Sequence, residues 1–417
     1  MKTRNSFLSY ALPSIGQEEI DEVTDSLRSG WITTGPKVAR FEEEFASYIG
    51  CRHAIAVSSC TAALHVILTA LGIRPGDEVI VPTLTFCATA HVVAQLGAKP
   101  VLVDVDKNCQ ISEEAVARAI TWKTRAIIPV HYGGQPCDLK GILDLADERA
   151  IDVVEDAAHA VGADYQGRKI GTHGRAVAFS FYATKNLTTG EGGMITTSDT
   201  ALAKQMRPLA LHGMNRDAWD RYSQSGSWYY EVDDLGYKYN MTDIQAAIGI
   251  HQLRKIESMN ARRREIAGKY NQAFAGLPEI ETFPESPDRT HVYHLYPIWL
   301  RGPLRIDRSI FIDELKKANI GASVHFIPLH RHPFYQRRYG YKSADFPIAE
   351  QIYAGLVSLP LYPSMSDGDV RDVVEAVQRI TEKNRGEPRV AQLNAVGARG
   401  RSGAAALHLS RADRLRY

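Results

Sequence analysis

Chemistry on a protein chain needs groups that can change charge or form a bond, and four stretches of this sequence supply them next to apolar runs. In Phe179-Ser180-Phe181-Tyr182-Ala183-Thr184-Lys185-Asn186 a predicted strand end delivers Ser180 and, five residues on, Lys185, followed by Gly190-Glu191-Gly192-Gly193. A lysine is ordinarily a solvated point charge, but one held in a partly buried, ligand-lined site can lose its proton and form a Schiff base. Upstream, Ile151–Glu155 runs into Asp156-Ala157-Ala158-His159, so a carboxylate emerges beside a turn of small residues. Asp156 there could bind a protonated ring nitrogen, a metal or a water. Val57-Ser58-Ser59-Cys60-Thr61-Ala62 closes another short apolar run and opens a helical stretch. Its hydroxyls and unpaired N–H groups suit a phosphate, or Ser59 is an ordinary helix cap. Thr83-Leu84-Thr85-Phe86 offers an aromatic that could stack on a planar ring or fill the core.

The elements that must position these groups alternate. Strands are expected at Val79–Val81, Val101–Val105, Ala126–Val130, Ile151–Glu155, Val177–Phe181 and Met194–Thr197. Helices lie between them, among them Thr61–Leu71 and Ser112–Ile120 with Ser112 as cap. Alternating strands and helices predict a parallel sheet flanked by helices, and strands apolar throughout predict burial on both faces. Ligand-binding loops of such sheets lie at the carboxyl ends of the strands, where all four stretches fall. A phosphate anchor, a ring platform, an acid partner and an amine together fit pyridoxal 5′-phosphate.

The flanking regions complete the fold class, an α/β protein with a mostly parallel sheet in a large domain and a smaller C-terminal α/β domain. Ser14-x-x-Gln17 resembles a capping box for a helix with Ile20, Val23 and Leu27 on one face. A second helix carries Val38, Phe41 and Phe45, and between the two lies the loop Gly30–Pro36. A long helix over Thr242–Tyr270 leads into mixed strands and helices. The expected division is residues 1–250 for the N-terminal segment and large domain, 251–383 for the small domain, and 384–417 for a basic, disordered tail with seven arginines against two acids.

Composition removes other classes. Lys+Arg 49 against Asp+Glu 48 gives a formal charge of +1, which argues against a nucleic-acid or anionic-membrane surface. The five cysteines form no C-x-x-C pair, so neither a disulfide framework nor a thiolate metal site is expected. The apolar stretch Phe7–Leu12 is short and ends at Pro13, a poor signal peptide, and a cytoplasmic location without membrane insertion is expected. Gly162–Lys169 approximates a phosphate loop with Arg168 in the lysine's place, but it reads as a turn in a hairpin. His325, His330 and His332 could bind a metal, yet Val324–Pro328 reads as strand and turn, and no metal is expected.

From about Ser14 to about Lys383 the chain resembles the DegT-type sugar-nucleotide aminotransferases, enzymes with the type I pyridoxal phosphate fold. The resemblance rests on Ser29–Pro36, Ser58–Ala62, Pro129–Gly134, Glu155–Ala160, Phe179–Asn186 with Gly190–Gly193, and Gly236–Gln245. It implies that Lys185 forms the Schiff base, Asp156 pairs with the pyridine nitrogen, Phe86 lies against the ring and His159 sits near its O3′ side. It further implies that Ser59, Thr61, the Ala62 backbone and Ser180 hold the phosphate. Asn240 would reach the phosphate of a neighbouring subunit, making a homodimer with shared active sites. Lys185, where some relatives have histidine, implies transamination over sugar dehydration. The Trp31–Pro36 loop, with Trp31 and Thr33, resembles members that aminate C4 of a 4-keto sugar; amination at C3 is the alternative. The small-molecule partners expected are a nucleotide sugar and L-glutamate, with His325, His330 or Arg331 meeting the diphosphate, the alternative being that His325 and His330 are packed in the small domain. A decarboxylase or lyase would use the same Lys185 and Asp156. A DNA-binding regulator lacks a helix-turn-helix or basic face, and a cofactor-free binding protein would leave the Asp156–Lys185 pair without purpose.

Overall fold

The computed structural model describes residues 4–214, 228–302 and 304–386, so the arginine-rich segment beyond 386 lies outside the described residues. The central sheet contains β1 (His53–Val57), β2 (Glu78–Pro82), β3 (Lys99–Val103), β4 (Thr124–Ile127) and β5 (Asp152–Asp156). After a small hairpin of β6 (Asp164–Tyr165) and β7 (Arg168–Lys169), it is completed by β8 (Ala176–Ser180) and β9 (Gly193–Thr197). The strand order is β1-β9-β8-β5-β4-β2-β3. Strands β3, β2, β4, β5 and β8 run parallel, whereas β9 runs against both β8 and β1. The mostly parallel sheet expected from the sequence is therefore present.

Alternate residues of each strand feed opposite cores. Val79 and Val81 join one cluster with Leu64, Ile67 and Leu68 of the helix Cys60–Ala70. Ile80 joins the other, with Phe41 and Phe45 of the helix Pro36–Ile49. This two-sided burial makes the strands read as continuous apolar runs. Phe45 packs edge-on against Phe179 at 5.2 Å and against Phe181 at 5.5 Å, with Phe41 at 5.4 Å from Phe181. Aromatic pairs of this kind contribute about 1 kcal/mol each beyond area burial, and here they anchor the strand end that precedes Lys185.

Several boundaries differ from expectation. The strand expected at 101–105 begins at Lys99, because β3 is an edge strand where Pro100 interrupts no second ladder. The strand expected at 126–130 occupies 124–127; Ile128 N–H still donates to Ile80 O at 2.8 Å, and beyond Pro129, which has no N–H, only an isolated bridge between Val130 and Asp156 remains. β1 was not anticipated, since its pairing partner β9 lies far along the chain. Gln166 and Gly167, at φ +50° and +78°, make the tight turn of the β6–β7 hairpin, as the turn reading of Gly162–Lys169 required.

The first helix is Gln17–Ser29, capped by Gly16 and not by Ser14: the Gly16 N–H donates to Glu19 Oε2 at 2.8 Å. Its expected apolar face is turned outward, with Ile20 51% and Leu27 57% exposed, while Glu19 and Ser26 are buried. Glu19 is drawn inward by Gln252, whose Nε2 donates to Oε1 at 2.7 Å, and by an ion pair with Lys255. Both partners lie on the long helix Asp243–Phe274, which opens on a reciprocal cap between Thr242 and Gln245.

A second sheet, β10 (Ile280–Thr282), β12 (Tyr296–Leu300) and β13 (Leu356–Leu359), packs with the helices Arg308–Lys317 and Asp367–Lys383 and the far end of the long helix. Between its first two strands, β11 (Arg289–Thr290) pairs instead with β6. Two segments bordering this sheet, Val292–Leu295 and Val324–Ile327, carry side chains back toward the central sheet.

Candidate active site

The carboxyl ends of β2, β5 and β8 open into one cavity of about 450 Å³, a volume suited to a cofactor and part of a substrate. Thr61, Phe86, Asp156, His159, Ser180 and Lys185 all line it. Residues separated by more than a hundred positions meet because each follows a strand of the same parallel sheet.

Asp156 is the last residue of β5 and is buried. Thr89 Oγ1 donates to its Oδ2 at 2.8 Å and the Ala158 N–H donates to its Oδ1 at 3.1 Å. Burial raises its pKa, opposed by these two hydrogen bonds and by Lys185. Thr89 escaped the sequence reading; the only signal was its place one helical turn beyond Phe86, which brings its hydroxyl back over the strand ends.

Lys185 sits in a loop moored at its stem and within its span. Phe181 N–H donates to Gly192 O at 2.8 Å, Thr189 N–H to Phe181 O at 2.9 Å and Lys185 N–H to Tyr182 O at 2.9 Å. Among the described residues the ammonium has no hydrogen-bond or ion-pair partner within the chain. Desolvation lowers its pKa to about 8, with Cys60 and Asp156 opposing the shift. The Cys60 thiol, which lines the same cavity, is pushed well up by burial and by Asp156 and stays protonated.

The phosphate-type helix start is present at Cys60–Ala70. Ser59 Oγ accepts from Ala62 N–H at 3.0 Å, so Ser59 is the cap and Ala62 N–H is already engaged; Ala62 does not line the cavity. The N–H groups of Cys60 and Thr61 remain without intrahelical acceptors, and Thr61 is exposed. A Cβ on Gly193 would lie 2.5 Å from the Ser59 carbonyl carbon, so glycine there lets β9 reach the helix start.

Phe86 is 58% exposed, packing beside Phe326 at a centroid distance of 5.9 Å and not in the core. His159 Nδ1 accepts from the Gly133 N–H at 3.3 Å, and its ring lies 4.3 Å from that of His294. His294 and His325 complete the wall on the side of the second sheet. Burial, reinforced by Lys185, lowers the pKa of His325 to about 4. His294 was missed: its only signal is the repeated histidine in His291-Val292-Tyr293-His294.

The other expected substrate contacts are elsewhere. His330 is fully buried, with Nδ1 2.7 Å from Thr83 Oγ1 and Nε2 2.6 Å from Glu350 Oε1. Arg331 forms a two-pronged ion pair with the same Glu350, whose pKa falls to about 2. These two residues are bonded into the fold and do not line this chain's own cavity. Trp31 Nε1 donates to Thr34 O at 3.1 Å, and Thr33 is exposed with its carbonyl accepting from Asp243 N–H at 2.9 Å. Asn240 donates to Thr34 Oγ1 at 2.7 Å. None of these three lines this chain's own cavity.

The residues present fit pyridoxal phosphate on physical grounds. An amine without a partner, a buried carboxylate whose ionised form needs a cation, an exposed aromatic and open N–H groups at a helix start share one chamber.

Known proteins agree. The model of the DegT/DnrJ/EryC1/StrS aminotransferase family matches residues 13–378. The uncharacterized protein MJ1066 of Methanocaldococcus jannaschii is 55% identical over 92% of this chain and 100% of its own length. The spore coat polysaccharide biosynthesis protein SpsC of Bacillus subtilis is 54% identical over 92% of this chain and 99% of its own. Spr1654 of Streptococcus pneumoniae, assigned as a sugar aminotransferase, superposes with a TM-score of 0.85 at 34% identity, covering 90% of this chain and 99% of that one, in both pyridoxamine and pyridoxal phosphate forms. The chain therefore belongs to the DegT/DnrJ/EryC1/StrS aminotransferase family and is a pyridoxal phosphate-dependent sugar aminotransferase.

Proposed function

We propose that the enzyme transfers an amino group from L-glutamate to C4 of a nucleotide-linked 4-keto sugar, releasing 2-oxoglutarate and a 4-amino sugar nucleotide. The observation that carries the transaminase chemistry is the unpaired Lys185 in the same cavity as the anchored Asp156. The C4 position rests on the Trp31–Pro36 loop and its resemblance to C4-aminating relatives.

When bound, the cofactor supplies an electron sink that acidifies the carbon bearing nitrogen. Asp156, fixed through both oxygens by Thr89 and Ala158, would accept a hydrogen bond from the ring N–H and so keep that nitrogen protonated. Lys185, with its pKa near 8, can both take and return a proton close to neutral pH, the property wanted in a general acid–base. Thr61, Ser180 and the start of the helix Cys60–Ala70, which line the cavity, would hold the phosphate, Phe86 would cover the ring and His159 would offer an N–H at its edge.

A second copy of the chain fits this reading. Asn240 lies outside its own cavity, and Ile20 and Leu27 form an unburied apolar edge on the first helix. The homodimer would bring Asn240 to the partner's phosphate.

The test is a two-stage assay on purified holoenzyme. L-Glutamate should bleach the visible absorbance of the wild type and not of Lys185→Ala. The glutamate-treated enzyme is then offered UDP- and dTDP-linked 4-keto-6-deoxyhexoses, and NMR of the product locates the nitrogen. An amine at C3, or no sugar product, overturns the C4 assignment; an unchanged spectrum overturns glutamate as donor.

A further inference from the structure

The residue after the catalytic lysine, Asn186, is 4% exposed and spends all of its polar capacity inside the protein. Its side chain is the middle of a chain of hydrogen bonds whose polarity follows from its ends. Val161 O can only accept, so the Asn260 atom bonded to it at 3.0 Å is Nδ2, and Asn260 Oδ1 faces Asn186. Val292 O can only accept as well, so the Asn186 atom 2.9 Å from it, which also bonds Asn260 Oδ1 at 2.8 Å, is Nδ2. That leaves Asn186 Oδ1 opposite His294 Nδ1 at 3.2 Å, and an oxygen acceptor there requires the proton to be on Nδ1.

The neighbouring His159 is fixed in the opposite sense. The Gly133 N–H can only donate, so His159 Nδ1 is unprotonated and its proton is on Nε2. Both rings line the cavity with Nε2 free of any partner among the described residues. The wall thus shows two adjoining imidazoles, one donor and one acceptor, 4.3 Å apart between centroids.

We propose that Asn186 is a positioning residue that locks His294 in the neutral Nδ1–H form, so that His294 Nε2 accepts a hydrogen bond from a hydroxyl of the sugar substrate. An acceptor aimed at a hydroxyl rejects a sugar lacking it more strongly than an apolar wall could select one, because the buried lone pair would be left unpaired. The proposal rests on the sugar aminotransferase assignment only for the identity of the donor. The charged and titratable groups acting on His294 are the adjoining His159, His325 on the same wall, Lys185 in the loop after β8 and Arg263 on the long helix. None is acidic; burial and these groups all favour the neutral ring.

The test uses holoenzyme carrying isotope-labelled histidine, observed by long-range proton–nitrogen NMR, with His294→Gln to assign the ring. The wild-type His294 signals should report Nδ1–H and not titrate between about pH 5 and 8. Asn186→Asp places a carboxylate beside Nδ1 and should convert the ring to imidazolium over that range. With dTDP-4-keto-6-deoxyglucose as probe, His294→Leu should raise KM about tenfold with a smaller change in kcat, and His294→Gln, whose Oε1 is again an acceptor, should recover most of that loss. A wild-type His294 protonated at Nε2, or titrating like an ordinary histidine, overturns the proposal even if Asn186→Asp does not fold. Equal KM for wild type and His294→Leu overturns the hydroxyl role. If the wild type turns over no nucleotide-linked keto sugar, the C4 reading fails separately and the NMR result still decides the tautomer.

Discussion

Replacing Lys185 by methionine should make the apoenzyme more stable, and the gain should fade as pH rises. The folded-state pKa of about 8 lies below the ordinary 10.5, so the native state binds fewer protons than the unfolded chain between those values. Stability of the wild type then rises with pH across that window, and the full penalty is present below about pH 8. A gap of about 2.5 pKa units corresponds to about 3 kcal/mol near pH 7, of which about 2 kcal/mol has gone by about pH 9.5. Methionine carries no charge and fills much of the same space, so the variant escapes this pH-dependent part. Urea unfolding midpoints of cofactor-stripped wild type and Lys185→Met, compared at equal protein concentration across that range, measure it. A difference that does not shrink with pH, or a wild type more stable near pH 7, would refute the claim that Lys185 is held against a desolvation penalty. The cost is borne because a lysine titrating near neutrality is what the chemistry requires.

Other changes separate cofactor binding from architecture. Thr89→Val removes a hydrogen bond to the Asp156 carboxylate, worth about 2 kcal/mol, and should weaken pyridoxal phosphate binding roughly 30-fold in an absorbance titration. Unchanged affinity would show that Thr89 does not anchor that carboxylate. Phe86→Ala, at a residue 58% exposed, should lower cofactor affinity with little change in the melting temperature of the apoenzyme; a large loss of apoenzyme stability would place Phe86 in the core. His330→Ala strips Thr83 and Glu350 of a buried partner and should cost about 2–4 kcal/mol in denaturant unfolding, with KM for the sugar nucleotide little altered. A raised KM at full stability would return His330 to the substrate site.

The parts of the site legible in the sequence were those that follow a strand. Asp156, Lys185, Thr61 and Phe86 could be placed because an apolar run of strand length, followed by small or polar residues, points to one end of a parallel sheet. Residues arriving from elsewhere gave no such signal. His294 reaches the cavity from the segment before β12, and Thr89 from the inside of a helix, where a threonine reads as filler. The bonds of His330 and Arg331 to Glu350 were not legible, because local sequence shows a polar cluster without showing a partner on a later helix. The stripe Ile20, Val23, Leu27 was real in period, but buried partners on the long helix decided which face of Gln17–Ser29 turned inward. Period gives a helix's two faces, and only the neighbours choose between them.

The moored loop around Lys185 limits what kind of motion can serve turnover. The Phe181, Lys185 and Thr189 amides are each bonded within the loop or to its stem, so a swing of the backbone beneath the lysine would have to break these bonds. The travel of the amine between its positions then comes from rotation about its own methylenes and not from a rearrangement of the loop. Amide hydrogen exchange at those three positions should therefore be slow in an enzyme whose lysine tip moves freely, so that rigidity and catalytic reach coexist within one side chain's length.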